Sequence, residues 1–233
     1  TLMALGIDAN AYTTNDHTAY LFECTDHFEE GLDELMDYVQ HPYFTDENVE
    51  KEKGIIGQEI MMYDDYPDWK VYLNALECMY HKNPVKLDIT GTIETISHID
   101  KDILYKCYNT FYNPSNMAMV VAGDFEPEKL LEEIKKRLID KKSNGEIKRI
   151  YEDEPKEIVK ERIEQNMEVS KPLFAIGIKD TPPEQKEKVK KHISIEILLN
   201  LLIGASSELY KKLYDMGNCY SVPSIDYEFD KTY

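Results

Sequence analysis

The chain has 233 residues, a 42 % hydrophobic share and a formal net charge of −18. That length accommodates one large domain, or one domain and part of a second, with a real core. The acidic balance disfavours nucleic acid and anionic membrane surfaces as partners; it suits basic partners, or solubility alone.

Residues 7–14 and 17–23 read as two strands joined at Asn15-Asp16, with Tyr and Thr on both flanks. A helix follows over 28–39, where Leu32, Leu35, Met36 and Val39 recur at helical spacing, Asp26 stands as N-cap and His41-Pro42 ends the run. Thr45 caps a helix over 46–63, and Pro67 opens another to about residue 80. A polar loop leads to Asp100, which starts a helix to about Tyr112. Residues 116–123, nearly all apolar, predict a central strand. Pro127 opens a helix to about Leu138.

Residues 141–155 are charged around a Ser-Asn-Gly turn and read as a linker. Beyond it the pattern predicts strands at 156–169, 172–179 and 219–229, with helices at 184–203 and 207–216. The fold class is therefore α+β. Residues 1–145 form a first unit, and 150–233 form the beginning of a second. Thr1–Leu5 reads as a helix already under way, so a start upstream is expected.

The four cysteines, Cys24, Cys78, Cys107 and Cys219, make no C-x-x-C pair and read as buried reduced thiols. No apolar run reads as long enough to span a membrane and no leader is evident, so no membrane partner and a cytoplasmic location are expected.

Chemistry concentrates in Val49–Tyr63. Glu52 and Glu59 stand seven residues apart, nearly two helical turns, and so point the same way. Ile55 and Ile56 lie between them, which places both acids on the apolar face. None of the positions three or four residues away carries a cation. A buried carboxylate of this kind calls for a distant lysine or a divalent metal, and carboxylate oxygen is an accepted zinc ligand. Gly54 and Gly57 inside the same helix suggest close packing there.

The stretch E-K-G-I-I-G-Q-E-I-M-M-Y-D-D resembles the downstream zinc-ligand helix of insulinase-like (pitrilysin-type) zinc peptidases. Four more stretches match that family in order: Leu5–Tyr20, Gly91–Ile99, Phe111–Phe125 and Gly204–Leu213. Together they span nearly the whole chain and are closest to a bacterial processing-protease-like branch of about twice this length.

The resemblance implies a duplicated domain of helices on an antiparallel sheet, its second copy truncated here. It implies a zinc endopeptidase in which water on zinc attacks the peptide carbonyl. Glu59 corresponds to the third zinc ligand. Glu52 corresponds to the outer acid that supports the site. Asn10, Ala11 and Tyr12 correspond to the edge strand that takes up peptide substrate.

The family's H-x-x-E-H motif is not in the chain. None of His17, His27, His41, His81, His98 and His192 has a histidine four residues away. The motif is expected upstream of Thr1, and the chain alone is expected to be inactive and to hold little or no zinc. The arginine and tyrosine with which the family closes over substrate have no match before Tyr233. A paralogous subunit or a homodimer is implied as a possible source. Two other readings stay open: a non-catalytic member acting as scaffold or partner subunit, and a plain peptide-binding module.

Overall fold

A computed structural model describes residues 2–229 and 232–233. After a turn of 3-10 helix at Leu2–Leu5 come strands β1 (Asp8–Thr13) and β2 (Thr18–Glu23). They pair antiparallel with Asn10 opposite Leu21, Ala11 opposite Tyr20 and Tyr12 opposite Ala19. The Thr14 N–H donates to the His17 carbonyl at 2.8 Å and closes the hairpin. The helices are α1 (Phe28–Gln40), α2 (Asp46–Asp64), α3 (Pro67–Met79), α4 (Ile93–Ser97), α5 (Lys101–Phe111), α6 (Pro127–Arg137), α7 (Lys188–Ile203) and α8 (Glu208–Asp215). The fold is α+β, helices with an antiparallel sheet.

The chain divides into two compact units: residues 1–73, 87–150 and 169–173, and residues 74–86, 151–168 and 174–233. In the first unit α1 packs on β2 and α2 packs on α4. Ile7, Leu32, Met36, Val49, Ile60 and Tyr108 are buried there. Tyr108 Oη shares its one O–H between the carbonyls of Val39 (2.9 Å) and Gln40 (2.8 Å), supplying a donor that the C-terminal turn of α1 lacks. Gln40 links α1 to the end of α6: its side chain donates to Arg137 O at 2.9 Å and accepts from Ile139 N at 3.0 Å.

In the second unit α7 packs on α8, and Leu76, Tyr80 and Val85 are buried. The backbone amides of Val159 and Lys160 donate to the Cys78 carbonyl at 2.8 and 3.2 Å, so an extended segment is tied to the end of α3.

Several expectations are corrected. Among the described residues, none of 116–123, 156–169, 172–179 and 219–229 is a paired strand. Met117 does have extended backbone, at φ −124° and ψ 153°. Apolar content favours extension, but a strand exists only through a ladder with a neighbour. Val120, placed by its pattern at the centre of a sheet, is 91 % exposed.

The cap of α1 is His27, held left-handed at φ 58°, and not Asp26, whose Oδ1 accepts from the His27 amide at 2.8 Å. Thr45 and Asp100 cap α2 and α5 as their sequence implies. Helix α4 stands where only a polar loop was expected. Its Thr92–Thr95 pair forms a reciprocal capping box. Of the four thiols, Cys107 is exposed and the others are half-buried. By length and composition, one helical stretch among the described residues, Gln185–Asp215, is long and apolar enough to cross a membrane, against the sequence reading. The continuous helix within it, α7, has 16 residues and is followed by a break at Gly204.

The two glycines of α2 differ from their expected role. Gly54 faces open space, and a Cβ on Gly57 would meet only Ile93 Cδ1 at 3.4 Å. Close packing occurs instead on α1, where a Cβ on Gly31 would stand 2.7 Å from the Phe22 ring. Gly54→Ala should therefore stabilise by about 0.5–1 kcal/mol through helix propensity alone. Gly31→Ala receives the same propensity gain but meets an overpacking cost of about 1–3 kcal/mol, and should come out less stable. Urea midpoints of the two variants, moving in opposite directions, are the check.

Candidate functional site

The sequence-derived site residues fall on two elements of the first unit. Asn10, Ala11 and Tyr12 lie in the middle of β1, and every residue of β1 is exposed. One edge of β1 pairs with β2. The other has no strand partner among the described residues. The Ala11 amide donates to the side-chain Oδ1 of its own neighbour Asn10 at 2.8 Å. Tyr12 meets His17 edge-on, with ring centroids 5.7 Å apart.

The hairpin end is a tight polar cluster. The His17 Nδ1 lies 2.6 Å from Asp16 Oδ1, and the Thr14 hydroxyl donates to the same oxygen at 2.8 Å. These bonds, His17 first and Thr14 second, hold the Asp16 carboxyl below its ordinary range. The Arg149 guanidinium adds a longer contact of 3.7 Å. Behind the strand, the Tyr20 and Tyr112 hydroxyls stand 2.7 Å apart. Burial first, then that bond, pushes the Tyr20 phenol well up, so it stays protonated.

Glu52 and Glu59 both lie on α2. At about 100° per residue they fall within roughly 20° of each other around the axis, and about 10.5 Å apart along it. Their burial is corrected: both are exposed, and Ile55 between them is 50 % exposed. The buried stripe of α2 is Val49, Gly57 and Ile60, with Ile56 and Lys53 at its margin. The acids lie about a quarter turn away from it. Ile55 and Ile56 do not share the buried stripe, because adjacent residues are about 100° apart on a helix. Lys53 stays at the margin by donating to Glu50 at 2.6 Å and to Ser97 O at 3.3 Å. Among the described residues neither Glu52 nor Glu59 forms an ion pair or a side-chain hydrogen bond.

A catalytic zinc site needs three protein ligands and an open position. Among the described residues no group of three or more His, Cys, Asp or Glu side chains is gathered to hold a metal. Glu52 and Glu59 together supply at most two of the three protein ligands. The donor set of the described residues by itself does not fit zinc.

One pairing, in the second unit, has no signature in the sequence. Glu154 accepts from the consecutive amides of His81 (2.8 Å), Lys82 (2.7 Å) and Asn83 (2.7 Å). Lys179 Nζ adds a bond of 2.6 Å to the same carboxylate and stands 4.9 Å over the Tyr80 ring. The partners are scattered over three segments, and no spacing rule joins them.

Comparison with known proteins places the chain. Residues 1–93 match the Insulinase (Peptidase family M16) family, and residues 98–230 match the Peptidase M16 inactive domain. The chain belongs to the insulinase, or M16, peptidase family. It is 44 % identical over 226 residues to the uncharacterized zinc protease YmfH of Bacillus subtilis (strain 168), covering 95 % of this chain and 53 % of that protein. It is similar to the crystal structure of an M16-like peptidase from Alicyclobacillus acidocaldarius, with a TM-score of 0.78 and 38 % identity, covering 91 % of this chain and 51 % of that one. It is 26 % identical over 152 residues to subunit 1 of the mitochondrial cytochrome b-c1 complex of Mus musculus, covering 65 % of this chain and 30 % of that subunit. The chain thus spans about half the length of YmfH and of the solved peptidase.

Proposed function

We propose that this chain contributes the third zinc ligand and the substrate-binding edge to a zinc-dependent endopeptidase acting on peptides. The observation that carries the reading is helix α2. It presents Glu52 and Glu59 on one accessible face, without a cation partner among the described residues, in a stretch that matches the Insulinase family. In this reading Glu59 binds zinc together with histidines of an H-x-x-E-H segment that this sequence does not contain. Glu52 orients the site from outside. Zinc, when bound, supplies Lewis-acid activation of the peptide carbonyl or of water.

A peptide would add beside β1 as a further strand, with its backbone satisfied by Asn10–Tyr12. The Ala11 amide, held by its own neighbour's side chain, is the donor that such a strand would take over. Backbone pairing gives loose sequence preference, and the net charge of −18 favours basic peptides. Residues 1–145 would be the catalytic-type domain and residues from 150 the start of its repeat. The free thiols favour a reducing, cytoplasmic location.

Alone, the chain should hydrolyse no peptide and should bind far less than one zinc. In a protein joining it to an H-x-x-E-H segment, Glu59→Gln should lose most of the zinc, because a neutral amide is the poorer ligand. Glu52→Gln should keep more zinc and lose about 10-fold to 100-fold in rate or affinity. Zinc per chain and peptide turnover separate the two roles, and full zinc with full activity in Glu59→Gln overturns the assignment.

A second reading is a non-catalytic scaffold or partner subunit, either of a paralogous peptidase or in a homodimer. Two observations favour it: the match of residues 98–230 to the inactive M16 domain, and a relative that is a subunit of a complex. The exposure of both glutamates also removes burial as a reason to require a metal. Here both glutamine variants would leave assembly and zinc content unchanged.

A further inference from the structure

The segment after α6 is strapped to the C-terminal end of α5. The last carbonyls of a helix have no donor within it, and the strap supplies one. Asn144 Nδ2 donates to Asn109 O at 2.5 Å. Alongside it, Lys141 Nζ donates to Tyr112 O at 2.9 Å, Asn113 Nδ2 donates to Lys142 O at 2.8 Å, and Ser143 Oγ lies 3.1 Å from Ser115 Oγ.

Asn144 is also the one asparagine in the sequence followed by glycine. Both residues are exposed and lie outside any helix or strand. Gly145 has φ +85°, with nothing within 4 Å of the place a Cβ would take. Its amide is engaged only locally, donating to Ser143 Oγ at 3.2 Å. Asn74 and Asn200 differ: Asn74 lies inside α3, where the neighbouring amides are committed to helical hydrogen bonds, and Asn200 lies near the end of α7.

We propose that Asn144-Gly145 is a site of spontaneous deamidation, and that the modified residue unfastens the strap from α5. The Gly145 nitrogen, having given its proton to water or hydroxide, attacks Asn144 Cγ. The N–Cγ bond forms, the Cγ–Nδ2 bond breaks, and Nδ2 takes up a proton and leaves as ammonia. Water then opens the resulting succinimide at either carbonyl, giving aspartate or isoaspartate. One water is consumed, one ammonia is released, and nothing is oxidised or reduced. The absence of a side chain on Gly145 leaves the nitrogen's approach open, and its conformational freedom lets the ring close.

The product cannot keep the contact. A carboxylate has no N–H to donate to Asn109 O. Its charge also lies beside the negative end of the α5 dipole. Isoaspartate further lengthens the backbone inside the strap.

The test is to incubate the intact chain at neutral and mildly alkaline pH beside a synthetic peptide of residues 139–150, and to map both by mass spectrometry. The amide-to-acid mass shift should collect at Asn144, as a mixture of aspartate and isoaspartate. It should rise with pH and vanish in Asn144→Gln, whose longer side chain closes its ring poorly. Trypsin cleavage after Lys141 and Lys142 should rise several-fold in incubated protein and equally in freshly made Asn144→Asp. If Asn144 keeps its amide while the peptide converts, the fold protects the site and the proposal fails. Unchanged trypsin cleavage in Asn144→Asp overturns the unfastening.

Discussion

Replacing Glu154 by alanine should cost the second unit about 3–5 kcal/mol, the range for breaking a buried pair from one side. Its side chain is 9 % exposed and that of Lys179 is 6 % exposed. Deleting the carboxylate strands an ammonium and leaves the three amides of residues 81–83 without their acceptor. Lys179 would keep its bond to the Pro155 carbonyl at 2.6 Å, but a carbonyl does not neutralise its charge. Glu154→Gln should cost less, since an amide oxygen still accepts from the backbone while the charge is lost.

The pairing also sets a pH window. Burial alone would raise the Glu154 carboxyl. Lys179 and the three amides outweigh it and lower it from 4.5 to about 2. A depressed carboxyl stabilises the fold above the unfolded value and loses that contribution as pH falls through the folded one. Stability should therefore decline between about pH 4.5 and pH 2, and that part of the decline should be missing in Glu154→Gln. Urea unfolding across this range, wild type against variant, is the measurement. Parallel curves would show that the carboxylate does not hold the loop.

The helices were legible because their signals are local. Thr45, Asp100, Pro67 and Pro127 mark starts by side-chain chemistry at one position, and the structure begins helices there. The hairpin was legible for the same reason, since Asn15-Asp16 and the flanking Tyr/Thr strands lie within a few residues of each other. Strand pairing beyond the hairpin is not a local property. The run at 116–123 specifies extension, but nothing within it says which chain segment lies alongside. The exposure of Glu52 and Glu59 was not legible, because adjacent Ile55 and Ile56 look like one apolar face in the sequence while they stand about 100° apart on α2. The Glu154–Lys179 pair joins loops 25 residues apart in sequence and has no periodic signature. The candidate site was read from resemblance more than from spacing. The helix places its two acids on one side as spacing requires.

Leu32→Ala should destabilise the first unit by about 2–5 kcal/mol, the range for removing a buried leucine's methyl groups and leaving a cavity. Leu32 is 2 % exposed on the face of α1 that also buries Gly31 and Met36. The helix is held to its neighbours at several points. Gly31 admits the Phe22 ring of β2, Tyr108 holds the α1 carbonyls, and Arg137 of α6 pairs with Asp33. Val120→Ala is the matched control. An apolar strand at the centre of a sheet would lose about 1–3 kcal/mol on truncation of a buried valine, whereas a side chain 91 % exposed should change stability by less than about 0.5 kcal/mol. Denaturant midpoints of the two variants, with unchanged slopes, decide both points. A large loss in Val120→Ala would mean that residues 117–122 are covered in solution, and a small loss in Leu32→Ala would mean that α1 is not the centre of the core.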